Sequence, residues 1–162
     1  DLAAELVKPW YRDRRNEIPP GKAPWFELPV FMFARGYFSA SWQNYYIRSA
    51  QRFPELPRFT KAQQEALDMV DAIADEVHLD MAFEPGDVQL LHNHVIVHSR
   101  TAYDDWPEPE RRRHLLRLWL ATPGGRPLPD AFLDRYVGLK PGQRPAGIVV
   151  EDMSLNVPLT PE

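Results

Sequence analysis

Apolar residues recur along this chain with two periods, and the changes between them mark out its elements. Ala66, Val70, Ile73 and Val77 fall at steps of four, three and four, with Leu67 and Ala74 beside them. That spacing lines one side of an α-helix. Thr60 stands before it as an N-cap, and Gln63, three residues on, completes a capping box. The pattern predicts a helix over residues 61–76. Elsewhere the period is two. Residues 25–33 and 37–42 are aromatic and strand-like, with Arg35-Gly36 between them, and predict a β-hairpin. Pro29 makes its first strand an edge strand or an interrupted one. Residues 78–83, 88–97 and 114–121 predict three more strands, the first two joined by a turn at Glu84-Pro85-Gly86-Asp87. Residues 1–7 allow a short helix limited by Pro9. The mixed-charge stretch up to residue 24 reads as a solvated connection. Residues 130–137 allow one short helix, and 147–150 a terminal strand.

Composition narrows the classes. A length of 162 residues is that of one domain able to bury a core. At 44% hydrophobic and 26% charged, the chain has ordinary globular proportions. Seventeen prolines favour turns and short strands over long helices. No apolar run approaches the ~20 residues of a membrane helix. A formal charge of −4 argues against a general electrostatic grip on nucleic acid. The absence of cysteine removes disulfides, zinc fingers and thiol chemistry. A reducing compartment suits such a chain, and the expectation is cytoplasmic. The fold class expected is mainly β with flanking helices (α+β), one domain over residues 1–162, with a loop-rich tail from about residue 122.

Two constellations carry chemistry. His92, His94 and His98 lie within His-Asn-His-Val-Ile-Val-His. On a strand, even-numbered positions share a face, so all three imidazoles would project together. Histidine is the commonest metal ligand; ordinary hydrogen-bonded side chains are the plainer reading. Arg113 and Arg117, four apart in Arg-His-Leu-Leu-Arg-Leu-Trp-Leu, would share a strand face in the same way. A guanidinium in an apolar strand needs an anion, either a structural carboxylate or a bound ligand whose carboxylate its fork would grip. A metal-binding histidine near a carboxylate anchor is the arrangement that chelates a keto-acid.

The run Pro-Gly-Asp-Val-Gln-Leu-Leu-His-Asn-His-Val-Ile-Val-His-Ser-Arg, with Arg-Arg-Arg-His-Leu-Leu-Arg downstream, resembles the C-terminal half of the taurine dioxygenase/TfdA-like family. Pro24-Trp-Phe-Glu-Leu-Pro-Val and Tyr46-Ile-Arg-Ser-Ala-Gln-Arg-Phe-Pro are similar to members too, so the likeness covers most of residues 1–150. The resemblance implies a double-stranded β-helix (jelly-roll) core and Fe(II)- and 2-oxoglutarate-dependent oxygenation of a small organic substrate. By position, His98 resembles the distal histidine of the two-His-one-carboxylate iron site. Arg113 resembles the arginine that holds the distal carboxylate of 2-oxoglutarate. Arg117 matches an arginine that in some relatives faces an anionic substrate. His92, His94 and Arg100 become supporting residues.

The family's other two ligands come from a His-x-Asp/Glu motif well upstream, yet no histidine precedes residue 78. The literal His78-Leu79-Asp80 lies on a different strand and reads as structural, with His78 and Asp80 kept as weak alternative ligands alongside His92 and His94. The expectation is therefore the C-terminal portion of an oxygenase, with an incomplete jelly roll whose open edges favour association with the missing N-terminal portion or with another copy. Two rivals remain: a three-histidine metal-binding module, and a non-catalytic partner chain.

Overall fold

The computed structural model describes residues 1–120, 124–136 and 140. Helix α1, Leu2–Leu6, is capped by the Asp1 side chain, which accepts from the Ala3 N–H, and ends before Pro9. Strand β1, Pro9–Asp13, pairs antiparallel with β2, Trp25–Pro29. Strand β3, Phe31–Ala34, pairs with β4, Tyr37–Ala40. Helix α2 spans Asn44–Ser49 and runs into a 3-10 turn at Ala50–Arg52. Helix α3 spans Lys61–Val77. Among the described residues the result is two two-stranded antiparallel sheets with helices packed on them.

The predicted hairpin forms, but only from Phe31 onward. Pro29 ends β2, and Val30 leaves the ladder: its N–H donates to the Leu6 carbonyl and its own carbonyl accepts from Ser41. The β3–β4 turn has positive φ at both Arg35 (53°) and Gly36 (81°), the two-residue turn whose twist matches a hairpin. The capping box at Thr60 and Gln63 forms in full.

Within the stretch read as a solvated connection, Trp10 and residues 12–14 are instead part of the interior, whereas residues 15–17, 20, 21 and 23 are exposed as expected. Trp10 and Arg12 face Leu28 and Phe26 across the β1–β2 ladder, so these four share one covered face. Trp10 packs with Leu6, Val30, Ile47, Ala66 and Leu67, which joins α1, α2 and α3 to the sheet. Phe26, Leu28 and Met32 form a second cluster with Phe132. Phe132 lies on a 3-10 helix, Asp130–Asp134, where a short helix was expected. This part of the tail is therefore docked against β2.

Residues 78–120 depart most from expectation. None of the strands predicted at 78–83, 88–97 and 114–121 forms among the described residues. Their alternating apolar side chains stand in solvent: Val88 and Leu118 are each 84% exposed and Trp119 is 70% exposed. A strand exists only when a neighbour takes up its backbone hydrogen bonds, and among the described residues these segments receive one such bond from another strand, from the Ala40 N–H to the His94 carbonyl. The last residues of α3 are likewise uncovered, with Ile73 and Val77 exposed and only Ala66 and Leu67 buried. The strand expected at 147–150 lies outside the described residues.

Candidate functional site

The histidine-bearing segment follows α3. His78 caps the helix end, with Nδ1 2.7 Å from the Asp75 carbonyl oxygen and Nε2 3.4 Å from the Asp80 carboxylate. The bond to the Asp75 carbonyl, and then the charge of Asp80, raise its pKa. A cationic group at a helix C-terminus meets the negative end of the dipole, so local interactions account for this pair. The Glu84–Asp87 turn forms as expected: the Glu84 N–H donates to the Asp87 carboxylate at 2.9 Å, and the Asp87 N–H to the Glu84 carbonyl at 3.1 Å.

His92, His94 and His98 do not share a strand face. The N–H groups of Val95 and Ile96 both donate to the His92 carbonyl, closing a turn. The His92 and His94 rings still meet edge-to-face, 5.3 Å between centroids. The His94 carbonyl accepts from the Ala40 N–H at 2.7 Å, which tethers the segment to the end of β4. His98 lies exposed beyond the turn.

Arg113 and Arg117 are exposed rather than set in an apolar strand. The chain before them folds on itself. Trp106 lies against Arg111, 3.3 Å from ring centroid to guanidinium carbon, and Arg112 donates to the carbonyls of Trp106 and Pro107. The Arg113 N–H donates to the Asp105 carboxylate at 2.9 Å. This closure about the 3-10 turn Pro109–Arg111 carries Arg113 back to Tyr103, 5.3 Å from the ring centroid. Neither Arg113 nor Arg117 forms an ion pair among the described residues.

Sequence reading missed three charged residues on β1 and just beyond it. Arg12 is fully buried and places all five of its N–H donors: on the carbonyls of Leu28, Pro29 and Ser41, the Ser41 hydroxyl and the Gln43 amide oxygen. Burial, and then the charge of Arg135, lower its pKa to about 9, so it stays cationic at neutral pH. Asp13 accepts from Arg52, Ser49 and the Arg15 N–H. Arg14 reaches the carbonyls of Ala23, Trp25, Asp134 and Arg135. The alternation of Trp10 and Arg12 was the available signal, a period of two inside a charged run. These side chains hold β1 to α2 and to residues 134–135, which is a structural duty.

With this geometry in place, the class can be stated. The chain belongs to the taurine catabolism dioxygenase TauD, TfdA family, whose pattern matches residues 4–119, a span that includes both His98 and Arg113. It is 34% identical over 157 residues to a protein named FR-33289 synthase from Streptomyces rubellomurinus, covering 88% of this chain and 44% of that relative. It is 36% identical over 138 residues to a taurine hydroxylase-like protein, SAT17, from Stachybotrys chartarum, covering 76% of this chain and 34% of that relative. The chain thus spans less than half the length of either curated relative.

The family depends on Fe(II) and 2-oxoglutarate, and the residues here fit the two differently. Among the described residues, no three His, Asp or Glu side chains approach closely enough to hold a metal. The described residues do not by themselves make a complete iron site. A carboxylate is better matched, because Arg113 presents an exposed guanidinium that forms no ion pair among those residues, although its N–H is held by the Asp105 carboxylate.

Proposed function

We propose that the chain is the part of an Fe(II)/2-oxoglutarate-dependent oxygenase that supplies one iron ligand, His98, and the anchor of the co-substrate, Arg113. The observation that carries this reading is the family match across residues 4–119, a span that contains both side chains; their roles follow from the likeness of the surrounding motif to the family's. In such an enzyme the metal and its co-substrate supply oxidising power, hydroxylating a C–H bond as 2-oxoglutarate becomes succinate and CO2. The chain's own part is binding. His98 offers a neutral imidazole. The Arg113 fork matches both oxygens of the distal carboxylate. Arg117, one helical or two strand repeats further on, meets an anionic group of a small organic substrate.

The remaining iron ligands come from a His-x-Asp/Glu segment outside this sequence, on a preceding stretch of polypeptide or on another chain. That partner also completes the jelly roll, and the working compartment is the cytoplasm. A second reading is favoured by the lack of a three-ligand group among the described residues: a non-catalytic chain that only completes a partner's sheet. Anaerobic titration with Fe(II) and 2-oxoglutarate of the chain assembled with the segment that carries the His-x-Asp/Glu motif separates the two. A visible metal-to-ketoacid charge-transfer band that disappears in His98→Ala supports the oxygenase reading. A band that survives in His98→Ala removes His98 from the site. The lack of any band leaves the partner-chain reading. In the assembled site, Arg113→Ala is expected to weaken 2-oxoglutarate binding by about 3 kcal/mol, as loss of one member of an enclosed charge pair does. Unchanged affinity in calorimetry removes Arg113 as the anchor.

A further inference from the structure

The chain carries a net charge of −4, yet one corner of its packed part gathers cations. Beyond β1 the backbone turns back through Arg15 and Asn16, both at positive φ (51° and 69°). Beside that turn, Arg14 and Arg135 lie against one ring, their guanidinium carbons 5.0 Å and 5.6 Å from the Phe26 centroid. The Arg15 guanidinium carbon is 4.6 Å from the Tyr45 centroid and 5.5 Å from that of Tyr46. Two of the acids here are committed. Asp13 holds Arg52 at 2.8 Å, and Asp134 is shared by Lys22 at 2.8 Å and Arg14 at 3.4 Å. Among the described residues, Arg15, Arg135 and Glu17 form no ion pair. Two positive charges and one negative are left over. Burial first, and the charge of Arg135 with it, lowers the pKa of Arg12, and that of Arg14 against the pull of Asp134. The crowding of guanidinium groups is therefore unfavourable as it stands. A cavity of about 20 Å³ opens within this group, lined by Asp13, Arg14, Glu17, Phe26, Tyr46 and Arg135. That volume suits one water-sized particle rather than a polyatomic oxyanion.

We infer that this cavity is a site for one monatomic, monovalent anion of chloride size, held by the Arg135 guanidinium with Arg14 beside it and opposed by the Glu17 carboxylate. One such charge balances the three unpaired groups, which a water molecule in the same space does not. Asp13 does not bar the ion, because Arg52, Ser49 and the Arg15 N–H already take up its carboxylate. Glu17 has no such partner, so its charge sets how tightly the anion is held. The site uses none of the residues proposed for iron or 2-oxoglutarate, and it stands or falls apart from that reading.

The test titrates the whole chain with sodium chloride and, at matched ionic strength, with sodium gluconate, whose anion is too large for the cavity. Two signals are followed, the linewidth of the chloride NMR resonance and the unfolding temperature. The chain is expected to broaden the chloride resonance, and chloride to raise the unfolding temperature beyond gluconate in a saturating way, as a ligand of the folded state does. Arg135→Gln keeps the backbone carbonyl that accepts from Arg14 and is expected to weaken chloride about tenfold, the worth of one hydrogen bond to a charged group. Glu17→Gln, at an exposed position, is expected to tighten it several-fold. If Arg135 serves structure alone, Arg135→Gln lowers the unfolding temperature equally in both salts, and the site is overturned. Equal response of the unaltered chain to the two salts overturns it too, and so does a Glu17→Gln variant with unchanged or weaker chloride affinity. Should circular dichroism show Arg135→Gln unfolded, the sign of the Glu17→Gln effect decides.

Discussion

A fully buried guanidinium with no carboxylate bonded to it is costly to hold in a protein interior. Arg12 is tolerated because five oxygens take its five N–H groups. Removing it strands the carbonyls of Leu28, Pro29 and Ser41 in the interior. Arg12→Met is therefore expected to cost about 3 kcal/mol, read as a shift of the urea midpoint; a loss below about 1 kcal/mol would show that those carbonyls find other donors. Asp13 next to it sets an acid limit. Burial pushes its carboxyl up, but the bonds from Arg52, Arg15 N–H and Ser49 outweigh that, and its pKa is lowered. A carboxylate whose folded pKa lies below its unfolded value of about 3.9 stabilises the fold above that pH. The contribution is lost as pH falls through the folded value. Unfolding measured at falling pH should show stability declining below about pH 4, and Asp13→Asn should flatten that decline. The sequence offered only a faint sign of this, the alternation of Trp10 and Arg12, inside Tyr-Arg-Asp-Arg-Arg, which has the composition of a surface loop. Burial of a charge depends on acceptors brought from residues 28–43, and no local pattern announces them.

Elements with local causes were legible. Helix α3 is fixed by its apolar spacing and by Thr60, whose side chain accepts from the Gln63 N–H while Gln63 reaches back to the Thr60 N–H. Thr60→Ala is expected to cost about 1 kcal/mol, seen as a lower melting temperature with the helix signal reduced at its start. The β3–β4 turn is equally local. Gly36 holds φ at +81° with open space around its Cβ position, so Gly36→Ala is penalised by the backbone alone, by about 1 kcal/mol. A variant of unchanged stability would mean that the turn shifts type. The helix's buried stripe was over-read: Ile73 and Val77 follow the period but stay in solvent. Periodicity identifies the face that asks for a partner, and the partner itself lies elsewhere.

At the scale of the molecule, the chain divides into a packed part and an uncovered one. Residues 1–77 and 124–136 share two small apolar clusters. Residues 78–120 carry the proposed site residues His98 and Arg113 and a row of exposed apolar side chains that includes Leu79, Val88, Leu90, Leu118, Trp119 and Leu120. Large exposed apolar side chains favour association with another surface. The chain alone should run above its 18.8 kDa monomer mass in size-exclusion chromatography, with the larger species growing as concentration rises. A monomer at every concentration, with no binding of a hydrophobic dye, would mean that residues 78–120 cover themselves. Among the described residues, no helix is long and apolar enough to cross a membrane.

The sequence by itself determined the features whose causes lie within a few residues: the capped helix, the hairpin turn, the break at Pro29, and the motif that places the chain in its family. Motif recognition needs only the order of side chains, and capping needs only neighbours along the chain. Tertiary structure decided what depends on distant partners. It buried Arg12, Asp13 and Arg14, docked Phe132 on β2, separated His98 from His92 and His94, and brought Arg113 back to Tyr103. It also left the predicted strands of residues 78–120 unformed, because a period of two specifies which face of a strand would be covered but cannot supply the neighbouring strand that its N–H and carbonyl groups require.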